Sequence, residues 1–178
     1  MSGTSAEPAA TSPAGRSAEI EIRPVTTDDL DELTEIYLAG ARHHAAIDPD
    51  GFRVPDRAAA RIRLARRVAA RGPAHEYVAA IVDRVMAGSA TIDIEDDPDP
   101  GSMARPVPSA ELGIAVLEGY RGQGIGRRLI SHLEEWAASR GAERINLQVT
   151  SSNDGAIALY HRLGYVDSGL EMRKSVRP

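Results

Sequence analysis

The sequence predicts a mixed α/β layer fold built as one domain. Strand-like and helix-like segments interleave along it, which favours helices packed on a sheet. Apolar residues alternate in stretches such as "EIEIRPV" and "RINLQVT", and recur at helical spacing in others such as "RRLISHLEEWAASRG". The length, 178 residues, fits one domain of about 100–200 residues and allows a sizeable core.

Residues 1–18 are rich in Ser, Ala, Pro, Thr and Gly, and read as a disordered tail ahead of a single domain over 19–178. They have no apolar core segment, so a secretory signal is not expected. Order is expected to begin at the strand around Ile20 and Ile22. Thr26 or Thr27 caps a first helix with Asp28 and Asp29 in its first turn and Leu30, Leu33 and Tyr37 on one face. "HHAAIDPDGFRVP" reads as a loop, punctuated by Asp48-Pro49, Asp50-Gly51 and Pro55. "DRAAARIRLARRVAARG" reads as a second, superficial helix with a thin apolar face of Ile62, Ala65, Val68 and Ala69, stopped by Gly72. "EYVAAIVDRVMAGSATIDIE" is a hairpin turning at Asp83-Arg84.

An acidic, proline-rich loop follows, then the strand "AELGIAV" and a helix through Arg140. That helix carries a stripe of Ile125, Leu129, Leu133, Trp136 and Ala137, and Gly141 stops it. "RINLQVT" is a strand, "SNDGAIALYHRLG" a short capped helix, and "YVDSGLEMRKSV" one or two short closing strands.

Composition narrows the chemistry. There is no cysteine, which excludes disulfides, thiolate metal sites and a cysteine nucleophile. No run approaches the roughly eighteen apolar residues of a membrane helix. A net charge of −5 disfavours bulk nucleic-acid binding. Neither a membrane nor a nucleic-acid partner is therefore expected, and a cytoplasmic location is. "HEYVA" at His75 lacks the second histidine of a zinc protease helix. Asp93, Glu95, Asp96, Asp97 and Asp99 lack the glycine and distal glutamate of a calcium loop, so no metal is expected. This run reads as a solvated loop, or as an acidic lip for a cationic amine.

One stretch calls for more. "GYRGQGIGRRL" holds four glycines and three arginines between a strand and a helix. A helix start exposes unpaired N–H groups and the positive end of the dipole, and glycine lets an anion reach them. The dinucleotide fingerprint fails, because its last glycine falls on Arg127 or Leu129. The P-loop fails for want of Gly-Lys-Ser/Thr. The pattern [Arg/Gln]-x-x-Gly-x-[Gly/Ala] is filled by Arg121, Gly124 and Gly126.

With "ELGIAV" just before this hexamer, and "INLQV", Asn153 and "ALYHRLGY" after it, the sequence resembles the GCN5-related N-acetyltransferase (GNAT) superfamily. The resemblance is specific from Glu111 to Tyr165 and topological from Ile20 to Asp93. It implies a GNAT fold: a mixed, mostly antiparallel sheet of six to seven strands, splayed at the cofactor strands and flanked by about four helices. It implies acetyl-CoA as cosubstrate and direct transfer of the acetyl group to a primary amine of a small molecule or peptide. A homodimer is an assembly that such enzymes commonly adopt.

By the same resemblance, the pantetheine arm would bond to the backbone of Ile114, Ala115 and Val116. The pyrophosphate would sit over the N–H groups of Arg121, Gly122, Gln123, Gly124, Ile125, Gly126 and Arg127, with Arg121, Arg127 and Arg128 adding charge-assisted bonds. Strand amides near Val116 would polarise the thioester carbonyl. Asn153 would touch pantetheine or substrate, although an N-cap explains it equally well. Tyr160 would contact the cofactor and protonate the leaving thiolate, where the bland reading is a core tyrosine. Glu111 would accept the amine proton, if strand alternation faces it into the cleft rather than to solvent. His43 and His44, in the loop that lines the acceptor site, are alternative bases. A non-catalytic acyl-CoA-binding module would keep the same cradle, and a nucleotide-binding protein would use the same loop.

Overall fold

The computed structural model describes residues 19–95, 103, 105–174 and 176. The N-terminal tail and the acidic stretch from Asp96 lie outside the described residues. The element order is β1 (Ile20–Pro24), α1 (Leu30–Ile47), α2 (Arg57–Ala69), β2 (His75–Val82), β3 (Val85–Ile94), β4 (Ser109–Val116), α3 (Ile125–Ala138), β5 (Arg144–Asn146) and α4 (Asp154–Arg162). The strands form one sheet in sequence order, antiparallel from β1 to β4 and parallel between β4 and β5.

Helices cover both faces. On one side, Val78, Ala80, Val82, Ala90, Ile92, Ala110 and Leu112 pack with Ile125, Leu129, Ile130 and Leu133 of α3 and Tyr160 of α4. On the other, Tyr77, Ala79 and Met86 pack with Leu30, Leu33 and Ile36 of α1 and Leu64 and Val68 of α2. Period-2 alternation in β2 thus feeds two cores, which is why its residues are almost all buried.

Local chemistry sets the ends. The Asp29 carboxylate accepts from the Thr26 N–H at 2.7 Å and from Arg23 in a bidentate pair at 2.7 and 2.8 Å, joining β1 to the start of α1. The pair holds the Asp29 carboxyl at about pKa 2. Asp56 caps α2 by accepting from the N–H groups of Ala58 and Ala59. Asp83 and Arg84 both adopt positive φ, as a two-residue hairpin turn of the I′ kind requires.

Five readings of the sequence change. The sheet has five strands among the described residues, not six or seven. The closing stretch after Tyr165 forms no strand there. Its Val166, Leu170 and Met172 are exposed, and its Arg173 pairs instead with Asp48 at the end of α1. The strand expected from Arg144 to Thr150 pairs only as far as Asn146, because β4 and β5 then separate. His43 and His44 are helical: α1 runs through Ile47 and breaks at Asp48, where the following proline disfavours helix. On α2, Ile62 faces solvent while Leu64, absent from the expected stripe, is fully buried.

A gap between two strands beside a glycine turn

Pairing between β4 and β5 covers only Ser109 to Glu111 against Arg144 to Asn146. From Leu112 to Val116, β4 has β3 on one side and, among the described residues, no strand on the other. Hydrogen-bond direction fixes which residues face that gap. Ser109 accepts from Glu95, just past the end of β3, and Leu117 donates to Ala87 of β3, so odd-numbered residues of β4 turn their backbone groups to β3. Leu112, Ile114 and Val116 therefore turn theirs to the gap. Of the three residues expected to hold pantetheine, Ile114 and Val116 are so placed, and Ala115 bonds towards Ser89 instead.

The glycine turn closes one end of the gap. A short 3-10 turn, Glu118–Tyr120, leads into Gly122 at φ 75° and Gly124 at φ 83°. Both are left-handed conformations that disfavour a side chain, and Gly124 is the residue that starts α3. The N–H groups of Gly122, Gln123, Gly124, Ile125, Gly126 and Arg127 find no backbone acceptor among the described residues; the first helical bond runs from Arg128 to Gly124. Six donors, the helix dipole and three exposed arginines thus converge on one patch. Arg121 also donates to the Val116 carbonyl at 3.3 Å, tying the turn to the strand. Gly126 has a different reason to be small. A Cβ there would lie 3.3 Å from Leu159 of α4 and 3.8 Å from Ile114, so this glycine sets how closely α4 seats against the start of α3.

The structure brings Ile114, Val116, the Arg121–Arg127 turn and α4 together. Asn153 caps α4, accepting from Ala156 N–H at 3.3 Å, which leaves its amide NH2 uncommitted. Tyr160, the next residue after Leu159, is 9 % exposed, and burial raises its phenol pKa above the ordinary value. Its ring centroid lies 5.9 Å from that of Tyr165, whose hydroxyl donates to Glu134.

Glu111 stands apart from Tyr160. Alternation turns Ala110, Leu112, Ile114 and Val116 towards α3, and Glu111, Gly113 and Ala115 towards α1, where Gly40 backs onto Ala115. The two catalytic expectations therefore flank the gap from opposite faces. Burial, then the charges of Glu95 and Asp93, raise the Glu111 carboxyl pKa, and it makes no hydrogen bond among the described residues. His44 stacks on Phe52 at 4.9 Å with its Nδ1 buried and unpartnered. Burial, reinforced by His43 and Arg121, lowers its pKa, so the ring is neutral near pH 7.

Sequence reasoning missed one group. His75, Asp93, Glu111 and Asn146 are register partners in one row across β2, β3, β4 and β5. Counting back from the Asp83-Arg84 turn would set Ile92 opposite His75. A bulge at Ala80/Ile81 shifts the register by one and brings Asp93 there instead. The concavity lined by Ala59, Ile62, Arg63, Arg66 and Arg67 is built by α2 alone and shares no residue with the gap. No group of three metal-binding side chains occurs among the described residues, and no helix of theirs is long and apolar enough to cross a membrane.

Comparison with known proteins agrees with this architecture. A mutant of the BH1408 protein from Bacillus halodurans superposes with a TM-score of 0.79 at 22 % identity, covering 88 % of this chain and 99 % of that one. AAC(6')-Iy in complex with a bisubstrate analogue, CoA-S-monomethyl-acetylneamine, superposes at 0.66 with 19 % identity, over 90 % of this chain and 100 % of that one. Streptothricin acetyltransferase of Streptomyces lavendulae is 45 % identical over 58 residues, 33 % of this chain and 31 % of that protein. The [ribosomal protein bS18]-alanine N-acetyltransferase of Escherichia coli K12 is 46 % identical over 54 residues, 30 % of this chain and 36 % of that protein. The chain thus spans about a third of the length of these curated relatives. The acetyltransferase (GNAT) family model matches residues 32–165, and the chain belongs to that family.

Proposed function

We propose that the protein is an acetyl-CoA-dependent N-acetyltransferase that moves the acetyl group directly to a primary amine. The observation that carries this reading is the gap itself. It offers strand-edge backbone groups at Leu112, Ile114 and Val116, and it ends at six N–H donors without a backbone acceptor among the described residues. A ligand with an amide-bearing arm and a pyrophosphate matches that sequence of groups. The residues fit such a ligand, because the positive φ of Gly122 and Gly124 is what presents the donors. The relatives and neighbours whose names include acetyltransferase or CoA support the same class.

The same reading gives the donor an orientation. With the pyrophosphate at the start of α3, its arm runs from Val116 back to Leu112, about 13 Å at ~3.3 Å per residue. There the gap closes at the Glu111–Asn146 pair. In this reading the thioester end lies beside Glu111, where the Leu112 N–H polarises its carbonyl. In the reaction, the amine nitrogen forms a bond to the thioester carbon and the carbon–sulfur bond breaks. Glu111, directly or through water, accepts the proton that the amine loses. Tyr160 donates a proton, or a hydrogen bond, to the departing thiolate. The backbone cradle supplies proximity by holding the acyl carbon in place.

The test is thiol release from acetyl-CoA against a panel of primary amines, with Glu111→Gln beside the natural chain. Release with at least one amine, reduced by ~10² or more in Glu111→Gln, is the expected result. Binding of CoA with no release on any amine would instead mark a non-catalytic acyl-CoA-binding module. Stabilisation by ATP and not by CoA would overturn the cradle assignment.

A further inference from the structure

The row that crosses the sheet at the closed end of the gap has a use beyond packing. Asp93 stands directly opposite Glu111 on the neighbouring strand, so their side chains are adjacent on one face. The Asp93 carboxylate is fixed by two elements: Arg67 of α2 donates to one oxygen at 2.6 Å, and Nδ1 of His75 lies 2.5 Å from the other. His75 is only 8 % exposed, so this anchor is held within the fold. Glu95, on the same face of the sheet, is held in turn by Asn146, whose amide donates to it at 3.0 Å. Two fixed carboxylates therefore flank a third that has no hydrogen-bond partner among the described residues. Hydrogen bonds from Arg67 and Asn146 and the contact with His75 hold the flanking pair in place, and Glu111 is the carboxyl left without such a partner among the described residues.

We propose that Asp93 and Glu95 are positioning residues for Glu111: held by Arg67 with His75 and by Asn146, they tune it as the proton acceptor of the transfer. The inference rests on Glu111 having that role. The physical reason is like charge at short range, which favours the neutral form of the free carboxyl and so makes its anion a stronger base. Among the described residues, the groups facing Glu111 are Asp93 of β3, Glu95 just after it, and Asn146 of β5. Arg67 of α2 and His75 of β2 act through Asp93. α1 meets β4 through Gly40 against Ala115, with no ionisable side chain at that contact. The raised Glu111 pKa agrees with this arrangement; after burial its causes are Glu95 and Asp93.

The experiment titrates the Glu111 side-chain carboxyl by carbon NMR in the full chain, with Glu111→Gln assigning the signal. The acid limb of kcat/KM against pH is followed in parallel. Asp93→Asn and Glu95→Gln each remove a negative neighbour, so both are expected to move the titration and the limb to lower pH. Their plateau rates should fall by less than the ~10²-fold that loss of the acceptor itself costs. Arg67→Gln removes a cation and is expected to move both to higher pH. Opposite signs from these variants are not what a merely structural role produces. A Glu111 titration unmoved by all three substitutions overturns the proposal while leaving Glu111 as base. A wild-type rate in Glu111→Gln overturns the base assignment and the proposal with it. All three substituted side chains are partly solvent-exposed, so the variants are expected to fold.

Discussion

Replacing Gly124 by alanine isolates the backbone's part in donor binding. Gly124 sits at φ 83° and ψ −1°, and no atom lies within 4 Å of where a Cβ would be. The cost is therefore conformational and not steric, about 1–2 kcal/mol for a left-handed alanine. At roughly 2–4 °C per kcal/mol for a chain of this size, the Tm is expected to fall by ~2–8 °C. If the residue instead relaxes to negative φ, the turn re-aims the N–H groups from Gly122 to Arg127. Hydrogen bonds to a charged group contribute about 1.5–3 kcal/mol each, so losing one weakens CoA by roughly 10- to 100-fold. Gly126→Ala is the control. Its Cβ meets the flexible end of Leu159 at 3.3 Å, while helix propensity improves by ~1 kcal/mol, so stability should change little. Calorimetric titration with CoA and thermal unfolding read both variants. Unchanged CoA affinity and unchanged Tm in Gly124→Ala would refute the account of the turn.

Three further outcomes are expected. Tyr160→Phe keeps the buried ring, so Tm should hold, while loss of the proton donor should lower kcat by ~10²-fold or more with little change in KM; steady-state kinetics decide, and a kcat near wild type removes the hydroxyl from the mechanism. Asp29 has a folded pKa of about 2, below its ordinary 3.8, so its pair with Arg23 contributes stability that is complete above about pH 4 and fades as pH falls towards 2. That contribution is about 2 kcal/mol, and Asp29→Asn should lose it at pH 7 yet match the natural chain near pH 2 in denaturant titrations. Leu64→Ala should cost ~2–5 kcal/mol by chemical denaturation, because Leu64 is fully buried between α2 and the sheet, whereas Ile62→Ala should cost little.

Much of the site could be read from residue order because it depends on local conformation. The Arg121–Gly126 hexamer specifies a left-handed turn and a helix start within six residues, and the Asn153 cap follows from its own side chain. What sequence reasoning lost depends on relations between distant segments. Glu111 needed the register of β4 against β3 to decide its face. The His75–Asp93 pairing turned on a single bulge that no composition signal marks. On α2, five arginines between Arg57 and Arg67 blurred the apolar stripe, and Leu64 was found only by what covers it. The closing segment, expected as one or two strands, makes no ladder among the described residues.

The three-residue pairing of β4 with β5 has a consequence for cooperativity. Among the described residues it is the only ladder that joins β5 to the rest of the sheet, and the stretch from Leu147 to Ser152 adds no strand pairing. β5 and α4 are thus fastened by a short seam and by contacts such as Leu159 on the start of α3. Such a region opens locally at a lower free energy than the β1–β4 sheet. A molecule that bridges β4 and α3 along the gap would lengthen the seam. Amide hydrogen exchange from Arg144 to Tyr165 should then slow on adding CoA, while exchange in β2 and β3 stays as it was. On the proposed reading, the ligand takes the place of the missing strand pairing, and its occupancy is expected to show as rigidity from Arg144 to Tyr165.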